Sequence, residues 1–312
     1  MQDTELDVVI VTYNSASVLK GLLDTLWIAL ADLPNARVIV ADNDSRDDSA
    51  GIARDHAIGA SVVSVGYNAG YSAGINAAVA AFGRSGPLLL LNADIRLRPD
   101  CISRMLAELA RPEVGVVVPK TLHDDGTLSY SIRREPSLLT AWSEALVGGG
   151  LAGRLGLGEI SRRAEDYAQN RAIVAASGAI MLVSSSARVG VGPWDERYFL
   201  YSEEVDYQRR ARDGGFEIRL AANAVCTHAG GESNSDATLF ALLTANRLRY
   251  FRRYHGSLET LLFRLAVTTG AGLRYLFGPT HRAAFKAAWM TTAEVARLVP
   301  SPRAAAALLK EL

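Results

Sequence analysis

No Gly-Lys-Ser or Gly-Lys-Thr triplet occurs anywhere in this sequence, which excludes a Walker-type phosphate loop. Cysteine is almost missing as well. Cys101 and Cys226 are the only two, in neither metal-ligand nor Cys-x-x-Cys spacing, so a disulfide scaffold and a zinc module are excluded and a reducing compartment is expected. There is no excess charge of either sign: Lys+Arg and Asp+Glu number 33 each, which argues against bulk nucleic-acid binding. No apolar run approaches the roughly 20 residues of a membrane span. The start, "MQDTELDVVIV", lacks the basic segment and the long apolar run of a signal peptide. The expectation is a soluble or peripheral protein in the cytoplasm, with no nucleic-acid partner.

What is present is an ordinary globular composition, 49% hydrophobic and 21% charged over 312 residues, enough for one large α/β domain or two smaller ones. The first half alternates strand-like and helix-like segments. "DVVIVTY" (7–13) is continuous and β-branched, the mark of a strand buried on both faces. A helix follows with apolar positions Val18, Leu19, Leu22, Leu23, Leu26, Trp27 and Leu30, started near Ser15 or Ser17. "RVIVAD", "SVVSV", "PLLLLN" and "VGVVVP" read as further strands, separated by helices at "SRDDSAGIARDH", "YSAGINAAVAAF" and Pro99 to Ala110. Such alternation predicts a mostly parallel sheet with helices on both faces.

The rhythm is lost between about 120 and 172, where "RREPSLL" and the glycine-rich "LVGGGLAGRLGLG" predict long surface loops with a short helix. Order returns at "AIVAASGAIMLVSS". A helix from about Glu203, strands near "FEIRL" and "AVCTH", and a long helix from Ala237 to Tyr254 follow. From Gly256 the tail is helical and rich in Ala and Leu, with seven Lys/Arg against three Glu. It is expected either to cap the domain or to rest on a membrane surface.

In an open parallel sheet, ligands bind beyond the carboxyl ends of the strands. The residues delivered there are Thr12-Tyr13-Asn14, Asp42-Asn43-Asp44, the stretch from Asn68 through Gly70 to Gly74, and Asn92-Ala93-Asp94. The glycines of "GYNAGYSAG" do not follow G-x-G-x-x-G, and strand one runs into "TYNSAS" with no glycine for close pyrophosphate approach, which disfavours a dinucleotide site. A buried strand ending in a carboxylate, as "LLLLNAD" does, suits a hard cation shared with phosphate and water.

Taken together, "VVIVTYNS", "VADNDSRD", "NAGYSAGINAA", "LLNADI" and "GPWDERYFLYSEEVDYQRR" resemble glycosyltransferase family two, the GT-A fold, and most closely its bacterial rhamnosyltransferase-like branch. The resemblance runs in order from about residue 5 to 255. It implies a GT-A domain over 1–255, with 120–172 as irregular acceptor-side loops, and a C-terminal helical region over 256–312. It also implies inverting transfer of a sugar from a nucleotide-diphosphate donor with Mg²⁺ or Mn²⁺.

Carried over residue by residue, "NAD" at 92–94 stands at the family's Asp-x-Asp position, with Asn92 for the first acid and Asp94 as the metal ligand. "YSEEVD" stands at the Glu-Asp-x-Asp segment, so Glu203 takes the leading Glu, Glu204 the general base and Asp206 the trailing Asp. The base position is usually Asp, and Glu204 must sit one methylene further back. His228 resembles a histidine that completes the metal site in some relatives, the alternative being a satisfied structural residue. Asp42 resembles the residue that accepts from the donor base, the alternative being a loop Asx-turn. Thr12, Tyr13, Asn14, Asn68, Gly70 and Asn76 are further donor-side candidates, of which Asn76 could instead cap or pack. Trp194 and Asp195 belong to the loop before the base, on the acceptor side; Trp194 could stack on a sugar face or fill the core, and the core is the preferred reading. The four arginines of "NRLRYFRRYHG" either neutralise a diphosphate or form a solvated helix face.

The expected function is an inverting, metal-dependent hexosyltransferase. It would move rhamnose from dTDP-rhamnose, or a hexose from a UDP-hexose, onto a cell-envelope polysaccharide or lipid-linked saccharide. A nucleotidyltransferase and a non-catalytic sugar-nucleotide-binding protein are the alternatives. Peripheral contact with the inner face of the membrane and homo-oligomerisation are left open.

Overall fold

A computed structural model describes residues 5–83, 85–228 and 236–310. The strands are β1 (Leu6–Thr12), β2 (Ala36–Asp42), β3 (Ser61–Ser64), β4 (Leu88–Asn92), β5 (Ile95–Leu97), β6 (Val114–Leu122), β7 (Ile132–Arg133), β8 (Arg171–Ile173), β9 (Ala175–Ala176), β10 (Ile180–Val183) and β11 (Glu217–His228). The main sheet runs β3-β2-β1-β4-β10-β6-β11-β5, with β8 on β11, while β7 and β9 form a small separate pair. Strands β3, β2, β1 and β4 are parallel, β10 is antiparallel to both β4 and β6, and β11 returns parallel to β6. This is the mixed, mostly parallel α/β sheet of the GT-A fold.

Both faces are covered, and the strands show it by period-two alternation. Val8 and Ile10 of β1, Val38 and Val40 of β2, and Leu89 and Leu91 of β4 face one core. Val9, Ile39, Ala41, Leu88 and Leu90 face the other. The first core is closed by α1 (Ala16–Ala29), through Leu19, Leu22, Leu23 and Leu26, together with α2 (Ser49–Asp55) and α4 (Cys101–Leu109). The second is closed by α3 (Tyr71–Phe82), α7 (Ser185–Val191) and α8 (Glu203–Asp213). Apolar residues on both sides of a strand are why these segments read as continuous runs rather than alternating ones. Cys101 and Cys226 are both buried free thiols.

Two expectations are refined here. "FEIRL" and "AVCTH" belong to one strand, β11, whose register on β6 shifts between Ala221 and Val225; the apparent break is a bulge. The irregular middle holds more structure than expected: α5 (Leu138–Val147), started by a Ser137–Thr140 capping box, and α6 (Gly149–Arg154). Helix α9 (Ala237–Tyr254) is followed by α10 (Ser257–Leu273), α11 (Pro279–Ala287), α12 (Thr292–Ala296) and α13 (Pro302–Leu308). Phe263 and Ala266 of α10 pack with Ala141 of α5 and with Leu248 and Phe251 of α9, so the tail is docked on the domain.

Candidate active site

The donor-side residues lie at the ends of β1 and β2. Parallel pairing sets Thr12 opposite Asp42. The Thr12 hydroxyl donates to Asp42 Oδ1 at 3.0 Å, and the Ser45 amide donates to Asp42 Oδ2 at 3.1 Å. The carboxylate is thereby fixed while each oxygen keeps a lone pair for a further donor. Asn14 holds a left-handed conformation, φ 53°, and its Oδ1 accepts from the Arg46 amide at 2.8 Å, tying the β1 and β2 loops together. Tyr13 beside it is exposed. Asn68 accepts from the Gly70 amide at 3.2 Å.

Gly70 has a positive φ of 89°, and a Cβ there would lie 2.3 Å from the Phe199 carbonyl oxygen. That oxygen accepts from the Tyr71 amide at 2.8 Å. Glycine is required because the 199–202 segment presses directly on this backbone. Asn76, in contrast, belongs to the scaffold. Its Nδ2 donates to the Trp194 carbonyl and Glu196 Oε1, both at 2.9 Å, and its Oδ1 accepts from the Trp194 amide at 3.0 Å. Its polar atoms are committed to the 194–196 loop, so the donor-side expectation for Asn76 is corrected.

Asp94 and His228 meet at the other end of the sheet. The antiparallel pairing of β5 with the end of β11 sets His228 opposite Ile95, one residue from Asp94, and His228 Nε2 lies 3.2 Å from Asp94 Oδ1. Burial alone would raise the Asp94 carboxyl. The His228 hydrogen bond and charge, its own amide and Arg96 outweigh that and hold it below the ordinary carboxylate value. Asn92 stands at the end of β4, its amide donating to the Ala179 carbonyl at 2.9 Å. Among the described residues no third His, Cys, Asp or Glu joins the pair. An anionic oxygen beside an imidazole nitrogen nevertheless fits a divalent cation that takes its remaining ligands from a diphosphate and water.

The third group is the first turn of α8. Tyr201 and Ser202 both adopt left-handed conformations, φ 70° and 73°. Two successive non-glycine residues there cost about 1–3 kcal/mol each, and the turn they form aims the carboxylates that follow. Glu204 packs on Gly178, where a Cβ would sit 2.8 Å from the Glu204 Cβ. Arg133 Nε lies 3.8 Å from Glu204 Oε1, and Arg133 Nη1 lies 3.5 Å from Glu159 Oε1. Glu159 in turn pairs with Arg247 Nε at 2.7 Å, and Arg247 with Glu144 at 2.8 Å. A chain of alternating charges therefore leads from α9 and α5 to Glu204.

Glu203 is buried, and burial followed by the Glu204 charge pushes its carboxyl well above the ordinary value. Tyr71 lies within electrostatic reach of all three acids. Burial and then Glu203, Glu204 and Asp94 push its hydroxyl far up. Beside Arg133 and His228 opens a cleft of about 170 Å³, also lined by His123, Tyr130, Ser131 and Ser177.

Packing and ion pairs engage Trp194, Asp195 and Asp206. Trp194 is stacked on Tyr207 with ring centroids 4.4 Å apart. Asp195 is held by Arg197 at 2.6 Å and Arg253 at 2.7 Å. Asp206 is fully buried, held by Arg210 at 2.9 Å and Arg253 at 3.0 Å, with Tyr254 donating to it at 2.8 Å. All three anchor α8 and α9, and the cleft that Trp194 lines with Asn76, Glu196 and Tyr207 is a different one from that beside Arg133 and His228. Three of the four arginines on α9 are spent on structure: Arg247 and Arg253 form the ion pairs above, and Arg249 donates to the Leu308 carbonyl at 3.1 Å, whereas Arg252 is exposed. Tyr71, Arg133, Glu159 and Gly178 escaped the reading of the sequence. Arg133 and Glu159 fall in its irregular middle, where no periodicity marks them, and Tyr71 and Gly178 gain meaning only from their neighbours in space.

Residues 7–183 match the sequence profile of Glycosyl transferase family 2. The chain belongs to that family. It is 28% identical over 243 residues to the N-acetylglucosaminyl-diphospho-decaprenol L-rhamnosyltransferase of Mycobacterium tuberculosis, covering 74% of this chain and 78% of that one. Among solved structures, it resembles the mannosyltransferase PcManGT from Pyrobaculum calidifontis, described in complex with GDP-Man and Mn²⁺. There the TM-score is 0.52 at 17% identity, over 99% of this chain and 81% of that one. It also resembles residues 1–349 of S. aureus TarS in complex with UDP, with a TM-score of 0.51 at 13% identity over 92% and 90% of the two chains. At these identities the structures show a shared fold. As a family 2 member the chain is a glycosyltransferase; Thr12, Asp42 and Asp94 lie within the matched region, and Glu204 and His228 lie beyond it.

Proposed function

We propose that this family 2 enzyme is an inverting, metal-dependent transferase that moves a sugar from a nucleotide diphosphate to a lipid-linked saccharide. The observation that carries the reading is the convergence of the Asp94–His228 pair and Glu204 around Tyr71. One end can hold a charged leaving group and the other can accept a proton. The name of the mycobacterial relative favours rhamnose as the sugar, with dTDP-rhamnose as donor and a UDP-hexose as the alternative.

Thr12 and Asp42 hold the nucleotide base, with Asp42 accepting from a ring N–H. Asp94 and His228 hold Mg²⁺ or Mn²⁺, which when bound neutralises the negative charge gathering on the departing diphosphate. Glu204 accepts the proton of the acceptor hydroxyl as that oxygen attacks the anomeric carbon from the face opposite the leaving group. Arg133 keeps the Glu204 carboxylate oriented while it waits for that proton. Glu203, kept neutral by burial, adds no second charge against it. The acceptor sugar enters through the cleft beside Arg133 and Tyr130. The catalytic unit ends with α9 near residue 255, and the helices from 256 onward brace it.

The test is kinetic. Glu204→Gln keeps the shape but cannot take a proton, so kcat should fall by about 10²-fold or more while affinity for the nucleotide diphosphate stays unchanged. Glu204→Asp restores the family's usual residue but withdraws the carboxylate by one methylene, and it should also lose rate through misplacement. Retention of most activity by Glu204→Gln would remove the base from this residue.

A further inference from the structure

Helix α10 is apolar on two opposite faces. Its inner face buries Phe263, Ala266 and Ala271. Its outer face carries Leu258, Leu261, Leu262 and Leu265, spaced i, i+3, i+4 and i+7, and exposed by 70%, 45%, 36% and 39%. A stripe at that spacing is the half of an amphipathic helix that normally seeks cover.

The stripe continues beyond the helix. Arg274 donates through Nη1 to the Ala145 carbonyl at 2.9 Å and so fastens the end of α10 to the end of α5. Gly270 approaches so closely that a Cβ there would lie 3.0 Å from the Ala145 Cα. This joint gathers Leu146 and Leu151 from α5 and α6 with Leu276 and Phe277 from the turn after α10. All four are exposed, Leu276 at 90% and Phe277 at 80%. Solitary exposed leucines are unremarkable, but this number on three joined elements marks a contact surface.

The charges around it are mostly basic, with Glu259 in the first turn of α10 and Glu144 on α5 as the acids that border it. From Thr260 to Ala293 the chain carries Arg264, Arg274, Arg282 and Lys286 and no acid, and from Ala145 to Gly158 it carries Arg154 and no acid. The whole chain is balanced at 33 cations against 33 acids, so this stretch is a local departure. Trp289 stands half-exposed among these cations, with the Arg264 guanidinium 5.3 Å from its ring centre. Leucine and phenylalanine tips, a half-exposed tryptophan and a local excess of cations match the interface of an anionic bilayer, where apolar tips enter the acyl boundary and cations meet phosphates. A protein partner or a second copy of this balanced chain would be expected to meet acids on the same face. No helix among the described residues is long and apolar enough to cross a membrane, so the contact is peripheral.

We infer that the outer stripe of α10, the α5–α6 junction and the 275–277 turn form a docking surface for an anionic lipid bilayer. Glu144 of α5 begins the charge chain that ends at Glu204, which places the acceptor cleft near the docked face. In this orientation, which rests on the lipid-linked acceptor proposed above, the substrate's head group reaches the cleft while its tail stays in the bilayer.

The experiment is co-sedimentation of the full chain with vesicles of phosphatidylcholine alone and with about one third phosphatidylglycerol, across a salt series. Binding should require the anionic lipid and weaken as salt rises. Leu276→Asp/Phe277→Asp, at solvent-exposed positions that leave the fold intact, should cut partitioning by at least tenfold, and Arg282→Gln and Lys286→Gln by about fivefold each. Circular dichroism of each variant checks the fold. Binding that ignores lipid charge, or survives the Leu276/Phe277 change, overturns the inference. So does a self-association, seen by sedimentation velocity and abolished by that change, in a chain that binds no vesicles. No donor or acceptor is present in this assay, so a wrong acceptor assignment would leave its outcome untouched.

Discussion

Replacing Gly178 by alanine tests whether the position of Glu204, and not merely its presence, sets the rate. An alanine Cβ would lie 2.8 Å from the Glu204 Cβ and 3.2 Å from its Cγ. Carbons normally pack at about 3.5–4.0 Å, so the two elements must part by roughly 1 Å. No rotamer change relieves this, because both Cβ atoms are fixed to backbone. The first turn of α8 or the turn leading into β10 must move instead. A displacement of about 1 Å at a reacting group costs on the order of 10²-fold, so kcat should fall by about that factor. Nucleotide diphosphate affinity should stay within about twofold, because Thr12, Asp42 and Asp94 stand on other elements. Initial rates at saturating donor, with calorimetry of the nucleotide diphosphate, separate the two effects. Glu204→Asp in the same chain should bring no rescue, since the clash is with Cβ and a shorter acid keeps that atom. A kcat within about threefold of the parent would refute the reasoning, even if Glu204→Gln were inactive.

Three further outcomes follow from the same geometry. Asp94→Ala should abolish the part of nucleotide diphosphate affinity that Mn²⁺ adds in calorimetry, and an unchanged Mn²⁺ dependence would remove Asp94 from the metal site. Glu203 binds a proton in the folded chain at pH values where the unfolded chain has lost it, so its contribution to stability declines as pH rises above its ordinary value of 4.5. Glu203→Gln should therefore raise the urea midpoint at pH 7, and the gain should vanish as pH falls below that value; an equal gain at both would contradict the burial argument. Asp206→Asn leaves Arg210 and Arg253 facing a neutral group in a fully buried site and should cost about 3–5 kcal/mol in denaturant unfolding. A loss under about 1 kcal/mol would return Asp206 to the list of solvent-reachable acids.

Residues whose position depends on local periodicity were legible in the sequence. Strands β1, β2 and β4 announce themselves as apolar runs, and what they deliver at their ends, Thr12, Asp42 and Asp94, could be read directly. Helix α9 begins and ends where its pattern predicts, and Asp236 caps it by accepting from the Thr238 and Leu239 amides. What stayed hidden depends on distant partners. Asn76, Asp195 and Asp206 look like solvent-facing polar groups in one dimension, yet the 194–196 loop engages Asn76 and Arg253 of α9 reaches both acids. The arginines of α9 look like a phosphate site until Glu144, Glu159, Asp195 and Asp206 appear beside them. The irregular middle hid Arg133 because the two-residue strand β7 is too short to leave a pattern.

The register that sets His228 opposite Ile95 has a consequence for the order in which the site is assembled. Thr12 and Asp42 are 30 residues apart and meet as soon as one β-α-β crossover closes. Asp94 and His228 are several times farther apart, and only a three-residue pairing at the sheet's margin joins them. Loop closure over such a span is slow, and short marginal pairings open first. A newly made chain should join Thr12 to Asp42 well before Asp94 to His228. Under mild denaturant the order should reverse, with the cation pair lost first and the backbone amides of Ile95 to Leu97 exchanging with solvent ahead of those of β1.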